Sequence, residues 1–197
     1  MRVNQLIPYG KTRTKVLFDE GLVLLFYNGE LKKLRLAADS EVDDAFYRET
    51  ILPLLTKRAK ERLVYILKSA DKSETELRRR LREGFYPEEA IDAAVSWAKE
   101  KHYVDDARYV ETYIRYHGDG KSRKKILYDL QAKGISRELI LAQLEDAEID
   151  ESEQIRAELR KRRYSGDMDP KEKRRILAAL TRKGYSWSAI LAITGDV

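Results

Sequence analysis

Three stretches of the sequence hold residue types that could carry out chemistry. Asp105 and Asp106 could form an acid/base pair, and His102 and His117 could bind a metal ion. Residues 118–122, Gly-Asp-Gly-Lys-Ser, look like the end of a phosphate-binding loop. Adjacent residues at a helix start do not face each other, the histidines lack ligands at metal-binding spacing, and the loop lacks its upstream glycine and preceding strand. The sequence therefore predicts no catalytic residue, metal site or cofactor, and Asp105 fits a helix N-cap instead.

Positive charge gathered in three clusters points instead to a binding function. The chain has 39 Lys and Arg against 34 Asp and Glu, and residues 156–183 alone hold eleven basic and four acidic side chains. Such a field suggests an anionic partner, either nucleic acid or an acidic protein groove, although a solvated helical surface would look the same. The predicted partner- or DNA-binding residues are Arg78, Arg79, Arg82, Lys121, Arg123, Lys124, Lys125, Arg160, Lys161, Arg162, Arg163, Lys173, Arg174 and Arg175, with Arg80 and Lys171 in the same runs.

The elements that must position these clusters are helices in a repeated arrangement. Three glycines, Gly84, Gly134 and Gly184, lie fifty residues apart, each after an amphipathic helix. A glycine one step past a helix is a common left-handed cap because it has no Cβ to clash. Matched apolar pairs precede these glycines: Leu77/Leu81, Ile126/Leu130 and Ile176/Leu180. This fixed period predicts a tandem helical array.

The residues that follow each glycine predict a third helix in every repeat. Apolar anchors come first: Phe85, Ile135 and Tyr185. Residues suited to starting a helix come next: Pro87, Ser136, and Ser186 or Ser188. The predicted buried face of the third helix is set by Ile91, Leu141 and Leu191.

The N-terminal part of the chain has a different pattern. Residues 14–18 and 22–27 are apolar runs joined through Gly21, which predicts a short β-hairpin. Asn28 is a candidate cap for a short helical turn. A long helical stretch follows, capped by Asp39 or Ser40, with a kink or a new start at Pro53.

Together these patterns predict a mainly α protein. We expect three tandem three-helix repeats in an elongated array, preceded by a short N-terminal β-hairpin and a long helix. The predicted segments are an N-terminal extension at 1–56 and repeats at 57–104, 105–149 and 150–197. The acidic stretch 145–153 between the last two repeats could be a mobile hinge or a charged helix end.

Composition also bounds where the protein acts. The chain has no cysteine, so disulfides and thiolate chemistry are excluded. Residues 1–10 do not form a signal peptide, and the longest apolar run, residues 22–27, is far too short to cross a bilayer. We expect a cytoplasmic monomer that does not enter membranes.

With the repeats in view, the chain resembles the RecX family of regulatory proteins. The likeness lies in residues 103–110, Tyr-Val-Asp-Asp-Ala-Arg-Tyr-Val, in the basic run before Ile126, in residues 129–135, Asp-Leu-Gln-Ala-Lys-Gly-Ile, and in residues 73–77, Ser-Glu-Thr-Glu-Leu. It covers residues 57–197. Tyr109-Val110 stands where that family usually has phenylalanine-alanine, and Asp129 stands where glutamate is usual.

The resemblance implies a protein that binds the RecA recombinase. Members of the family lie in the groove of the RecA–DNA filament and limit its growth and activities, so the implied mechanism is non-enzymatic inhibition by binding, with direct contact to single-stranded or duplex DNA left open. The alternative is a DNA-binding protein of helix-turn-helix type, because each helix–glycine–helix unit has that outline. Against it, the third helices carry more acidic than basic residues, whereas reading base edges needs donors.

Overall fold

A three-stranded antiparallel sheet opens the chain, with strand order β1-β2-β3. The strands are β1 (Val3–Tyr9), β2 (Arg13–Phe18) and β3 (Val23–Tyr27). The predicted hairpin is β2–β3, and Gly21 has φ +79° in its turn. Strand β1 was not predicted, because its sequence Val-Asn-Gln-Leu-Ile-Pro-Tyr does not alternate polar and apolar residues and contains Pro8.

The computed structural model describes residues 1–195, which fall into two compact units: residues 1–105, and the chain from Asp106 onward. In the first unit, helix α1 (Asn28–Leu34) follows β3 directly. The prediction that Asn28 caps this helix is wrong by one residue. Tyr27 is the cap residue, because the Glu30 carboxylate accepts a hydrogen bond from its backbone N–H at 2.8 Å.

The predicted long helix has three consecutive segments. Helix α2 (Asp44–Phe46) leads into a π-helical turn at Tyr47–Ile51, and helix α3 (Leu52–Leu67) follows. The cap is Asp43 and not Asp39 or Ser40, since its carboxylate accepts from Phe46 N. Pro53 lies in the first turn of α3, directly after the π-helical turn, and Ile51 and Leu52 keep helical φ and ψ. The predicted irregularity at Pro53 therefore takes the form of a π-helical turn within a continuous helical backbone.

Helices α4 (Glu74–Glu83) and α5 (Glu88–Glu100) complete the first unit. Ser73 begins α4 with a capping box, in which its hydroxyl accepts from Glu76 N while the Glu76 carboxylate accepts from Ser73 N. The sheet and helices α3 to α5 share one hydrophobic core, which runs from Val3 to Val104. Burial on this shared core stabilises the sheet, since a small sheet is marginal alone.

The second unit contains six helices within the described residues. They are α6 (Asp106–His117), α7 (Arg123–Gln131), α8 (Arg137–Glu145), α9 (Glu151–Lys161), α10 (Pro170–Arg182) and α11 (Trp187–Thr194). Helices α6 to α8 surround a core that includes Ile126 and Leu130, and helices α9 to α11 surround one that includes Leu180 and Tyr185. The predicted apolar pairs are buried in all three repeats.

The register of the first repeat differs by one residue from the prediction. Gly134 and Gly184 have the predicted left-handed φ, at +80° and +97°, but Gly84 has φ −83°. The left-handed residue of the first repeat is Phe85, with φ +60°. Each left-handed residue lies four positions after a buried leucine, so the equivalent residues are Phe85, Gly134 and Gly184. The spacing of fifty between glycines aligned the first repeat incorrectly.

The same shift corrects two further predictions. The apolar anchor of the first repeat is Tyr86 and not Phe85, because Tyr86 N donates to Leu81 O, as Ile135 N and Tyr185 N do to the matching leucines. Leu141 is 37% exposed, and Leu191 is only partly buried. Counted from the leucine, the residues equivalent to Ile91 are Ile140 and Ile190, and both are fully buried.

Repeats two and three are joined by close polar contacts. The Ser122 hydroxyl caps α7 and also donates to Lys183 O at 2.8 Å, at the end of α10. A Cβ at Gly184 would lie 2.4 Å from this hydroxyl oxygen. The buried Gln154 amide donates to Gly118 O and accepts from the Tyr185 hydroxyl at 3.0 Å. These contacts fix the orientation of the two repeats in the second unit.

Candidate partner-binding surfaces

Two of the predicted arginines on α4 are neutralised by carboxylates of their own unit. The Arg78 guanidinium contacts Glu74 at 2.9 Å and Asp92 at 2.6 Å, and Arg82 contacts Glu88 at 2.6 Å. Hydrogen bonding to Asp92 raises the pKa of Arg78, and hydrogen bonding to Glu88 raises the pKa of Arg82. These side chains hold α4 against α5, and their charge is partly balanced within the unit.

The lysines around the start of α7 converge on one carboxylate. Asp129 accepts from Lys121 at 2.8 Å, from Lys125 at 2.7 Å and from the Tyr113 hydroxyl at 3.0 Å. Partial burial raises the pKa of Asp129, but the hydrogen bonds from Lys121, Lys125 and Tyr113 outweigh it and lower the pKa to about 2. The cluster is a structural network that joins α6 to α7.

Arg123 has a structural role at the end of α8. Its guanidinium donates to Leu144 O and to Ala147 O, the latter at 2.8 Å, and its backbone N–H donates to the Glu151 carboxylate at 2.7 Å. These bonds connect the start of α7 to the end of α8 and to the loop that follows it. Of the acidic stretch 145–153, Glu145 ends α8, Asp150 caps α9, and Glu151 and Glu153 lie in its first turn, so the prediction of a charged helix end is confirmed there.

Carboxylates of α9 occupy most of its basic residues. Arg160 contacts Glu153 at 2.6 Å. The Glu158 carboxylate has ion pairs with Lys161, Arg162 and Lys183 at 3.5, 3.7 and 2.7 Å. The hydrogen bond from Lys183 is the main cause that lowers the pKa of Glu158. Ion pairs near the surface are weak. They therefore lower the net positive charge of this surface but do not hold the basic side chains in fixed positions.

The remaining predicted residues point outward. Lys173 is partly buried. Among residues 1–195, the exposed basic side chains of the predicted clusters that have no ion pair are Arg79, Arg80, Lys124, Arg163, Lys171, Arg174 and Arg175. Three of these lie on α10, which makes α10 the least neutralised of the predicted surfaces.

Helix α10 also lies beside an exposed tryptophan that the sequence analysis did not include in a site. Trp187, the first residue of α11, is 51% exposed. It lines a shallow apolar depression together with Ala178 and Thr181, and Arg174 and Arg182 form the edge of this depression. Trp and Arg are the residues that most often dominate protein–protein contacts. The α10 surface, defined as Arg174, Arg175, Arg182 and Trp187, therefore combines free charge with apolar area.

A second basic region, in the first unit, was also missed. A cavity of about 420 Å³ lies where β2 and β3 meet α3 and α4. Its lining includes four arginines and three tyrosines: Arg13, Arg58, Arg62, Arg80, Tyr9, Tyr27 and Tyr86. These residues are scattered over the sequence, and only Arg80 belongs to one of the three predicted basic clusters. Their proximity therefore could not be predicted from the sequence.

Neither a metal site nor a membrane span is found in the described part of the chain. No group of three or more His, Asp or Glu side chains is arranged to hold a metal ion among residues 1–195. No helix in that range is both long and apolar enough to cross a bilayer.

Comparison with known proteins assigns the family. Residues 105–143 match the family model for the second three-helix domain of RecX, and residues 149–193 match that for the third. The regulatory protein RecX of Cronobacter sakazakii is 34% identical over 150 residues, which cover 69% of this chain and 90% of that protein. The chain belongs to the RecX family. The regulatory protein RecX of Clostridium perfringens strain 13 is 25% identical over 186 residues, covering 92% of this chain and 88% of its own length.

Solved RecX structures have the same fold. A crystal structure of a regulatory protein RecX matches 99% of both chains with a TM-score of 0.66 and 21% identity. RecX from Lactobacillus salivarius matches 71% of this chain and 94% of its own, with a TM-score of 0.61 and 21% identity. The first match spans the N-terminal sheet, so that sheet also has a counterpart in a RecX structure.

Proposed function

We propose that this RecX protein is a non-enzymatic negative regulator of RecA, which binds in the groove of the RecA–DNA filament and limits filament growth, ATP hydrolysis and strand exchange. Membership of a family whose members are named regulatory proteins supports a regulatory role. Inhibition by occupancy requires a surface for the filament and no reacting group.

The observation that carries the proposal is the α10 surface. Arg174 and Arg175 are exposed and have no ion pair among residues 1–195, and Trp187 offers apolar area beside them. A filament lined with acidic groups or DNA phosphates attracts the arginines, and desolvation of the indole on contact adds affinity. We propose α10, and not the paired α9 residues Arg160 and Arg162, as the main contact of the third repeat.

The contacts between repeats two and three support the same function. Ser122, Gln154 and Tyr185 hold the two repeats in one orientation, so Lys124 on α7 and the arginines on α10 keep a constant separation. A filament is a lattice of identical subunits. A rigid pair of modules can contact two positions of such a lattice at once. The second contact then forms within the same complex, so the overall affinity exceeds that of either contact alone.

Co-sedimentation with RecA filaments tests the proposed surface. The variant Arg174→Glu/Arg175→Glu should bind filaments at least about tenfold more weakly, because two attractive charges become repulsive. The matched control is Lys32→Glu/Lys33→Glu, which makes the same charge change at exposed positions of α1. Equal binding by the two variants would exclude α10 as the contact.

The alternative function, sequence-specific duplex DNA binding of helix-turn-helix type, has less support. Helix α5 begins with Glu88 and Glu89, and α11 has no charged residue. A third helix of this composition has few donors for base edges. Selective binding of one duplex sequence in a competition assay without RecA would favour the alternative.

A further inference from the structure

The cavity between the sheet and helices α3 and α4 concentrates positive charge from separate elements. Arg13 comes from β2, Arg58 and Arg62 from α3, and Arg80 from α4. Among the residues that line it, Glu83 alone carries a negative charge. A concave surface with this imbalance attracts an anion, because its walls limit the screening that flat surfaces allow.

One arginine is structural and the other three are available. The Arg58 guanidinium donates to Leu25 O and to the Glu30 carboxylate, both at 3.0 Å, and its side chain is only 12% exposed. Arg58 therefore forms part of the cavity wall, and Glu30 balances its charge. Three exposed arginines of the cavity lining, Arg13, Arg62 and Arg80, have no ion pair among residues 1–195.

Aromatic rings are interleaved with these charges. Tyr9 and Tyr27, both in the lining, are 40% and 47% exposed. The Arg58 guanidinium lies 4.5 Å from the centre of the Tyr27 ring, and Lys15 Nζ lies 4.6 Å from that of Tyr9. Phe85 extends the aromatic edge, because its ring contacts Tyr9 edge-on at 6.0 Å.

The first repeat has an aromatic side chain at a position where the other two repeats have glycine. Phe85 has φ +60°, a conformation that is unfavourable for a bulky residue and that Gly134 and Gly184 occupy in the other two repeats. Glycine would satisfy the turn without strain. Arg35, His102 and Arg163 have the same left-handed φ after other helices, so the side chain and not the backbone distinguishes Phe85. The first repeat thus keeps an aromatic ring next to the cavity where the other repeats have no side chain.

We propose that this cavity binds single-stranded nucleic acid, with Arg13, Arg62 and Arg80 contacting its phosphates and a base packing against the Tyr9 and Phe85 rings in place of Lys15, which lies over both. Arginine grooves combined with exposed aromatic rings are the usual means of holding a single strand. Its volume of about 420 Å³ suits a nucleotide and not a duplex. An acidic peptide would use the arginines but not the ring faces. The inference does not rest on the proposed RecA interaction.

The test measures binding of a fluorescent oligothymidylate of about 16 nucleotides by anisotropy, at fixed salt and without RecA. The variant Arg62→Glu/Arg80→Glu should bind at least about tenfold more weakly than the unmodified chain. The control is Lys57→Glu/Lys101→Glu, which places the same charges at exposed positions outside the cavity and should change affinity about twofold or less.

A second variant separates binding from folding. Phe85→Gly relieves the strain of φ +60° but removes the contact with Tyr9, so its unfolding midpoint should change little while oligothymidylate affinity falls about fivefold or more. A loss of binding in an equally stable protein cannot come from misfolding.

Two results would overturn the inference. One is equal oligothymidylate affinity in the cavity and control variants. The other is polyglutamate binding that depends on Arg62 and Arg80 while oligothymidylate binding does not, which would assign the cavity to an acidic protein segment. Both readouts omit RecA, so the proposed regulation of RecA can fail or succeed independently.

Discussion

The sequence predicts some contacts of Asp129 but not others. Lys125 and Asp129 are four residues apart on α7, and helical spacing alone indicates that they meet. The contact of Lys121 with Asp129 crosses the helix cap, and the Tyr113 hydroxyl comes from another helix. Basic residues could be found in the sequence, but their neutralisation depends on tertiary contacts. The predicted binding residues therefore included several that the fold uses.

Asp129 gives a prediction about pH. Its pKa is lowered from 3.8 to about 2, so the ionised carboxylate stabilises the fold at neutral pH, and this stability is lost as the pH falls toward 2. Asp129→Asn should lower the free energy of unfolding by about 2 kcal/mol at neutral pH. In urea unfolding the difference from the unmodified chain should shrink below about pH 3.

The control for that prediction is Asp119→Asn. Asp119 is exposed and has no ion pair among residues 1–195, so its replacement should change the free energy of unfolding by about 0.5 kcal/mol or less. A difference between Asp129→Asn and the unmodified chain that is equal at neutral and acid pH would show that the carboxylate does not act through its charge.

At the scale of elements, periodicity predicted most of the helices but not every boundary. Apolar spacing located the buried leucines, and serines located the helix starts at Ser136 and Ser186. Leu81 lies three residues before Gly84, against four in the other repeats, and this offset predicts a shorter cap in the first repeat. The structure instead keeps the cap length and places Phe85 at the left-handed position. The π-helical turn before α3 and the edge strand β1 have no local sequence signal, since both depend on packing against the shared core.

Gly184 gives a prediction about the contact between repeats two and three. It combines φ +97° with a close approach to Ser122 and Lys125, so a methyl group would both strain the backbone and separate repeats two and three. Gly184→Ala should cost about 2 kcal/mol or more of unfolding free energy. Gly120→Ala is the control, because a Cβ there meets nothing within 4 Å, and it should be nearly neutral. Equal midpoints in thermal unfolding would contradict this account of the contact.

At the scale of the whole molecule, sequence and structure contributed different parts of the function. The repeat pattern and the residues around Asp105 led to the RecX family. The surfaces required the fold, because Trp187 and the arginine–tyrosine cavity combine residues from separate elements. In the sequence, the basic residues of α9 and α10 form one cluster. In the structure, Arg160 and Arg162 pair with Glu153 and Glu158, so the exposed basic residues without a carboxylate partner are mainly those of α10.

Salt dependence of filament binding follows from this distribution of charge. If Arg174 and Arg175 contact phosphates or an acidic groove, the affinity for RecA filaments should fall with rising salt, and Arg174→Glu/Arg175→Glu should flatten that slope. Arg160→Glu/Arg162→Glu should have a smaller effect, because those side chains already contact carboxylates. If the affinity of both variants and of the unmodified chain depended equally on salt, α10 would be an ordinary solvated surface and not a contact with the filament.

The most direct test of the central claim is ATP hydrolysis by RecA on single-stranded DNA, followed while this protein is added. We expect the rate to fall as the protein approaches the RecA concentration, and Arg174→Glu/Arg175→Glu to need a higher concentration for the same effect. Undiminished hydrolysis at a stoichiometric excess of the unmodified protein would contradict the proposed regulation of RecA.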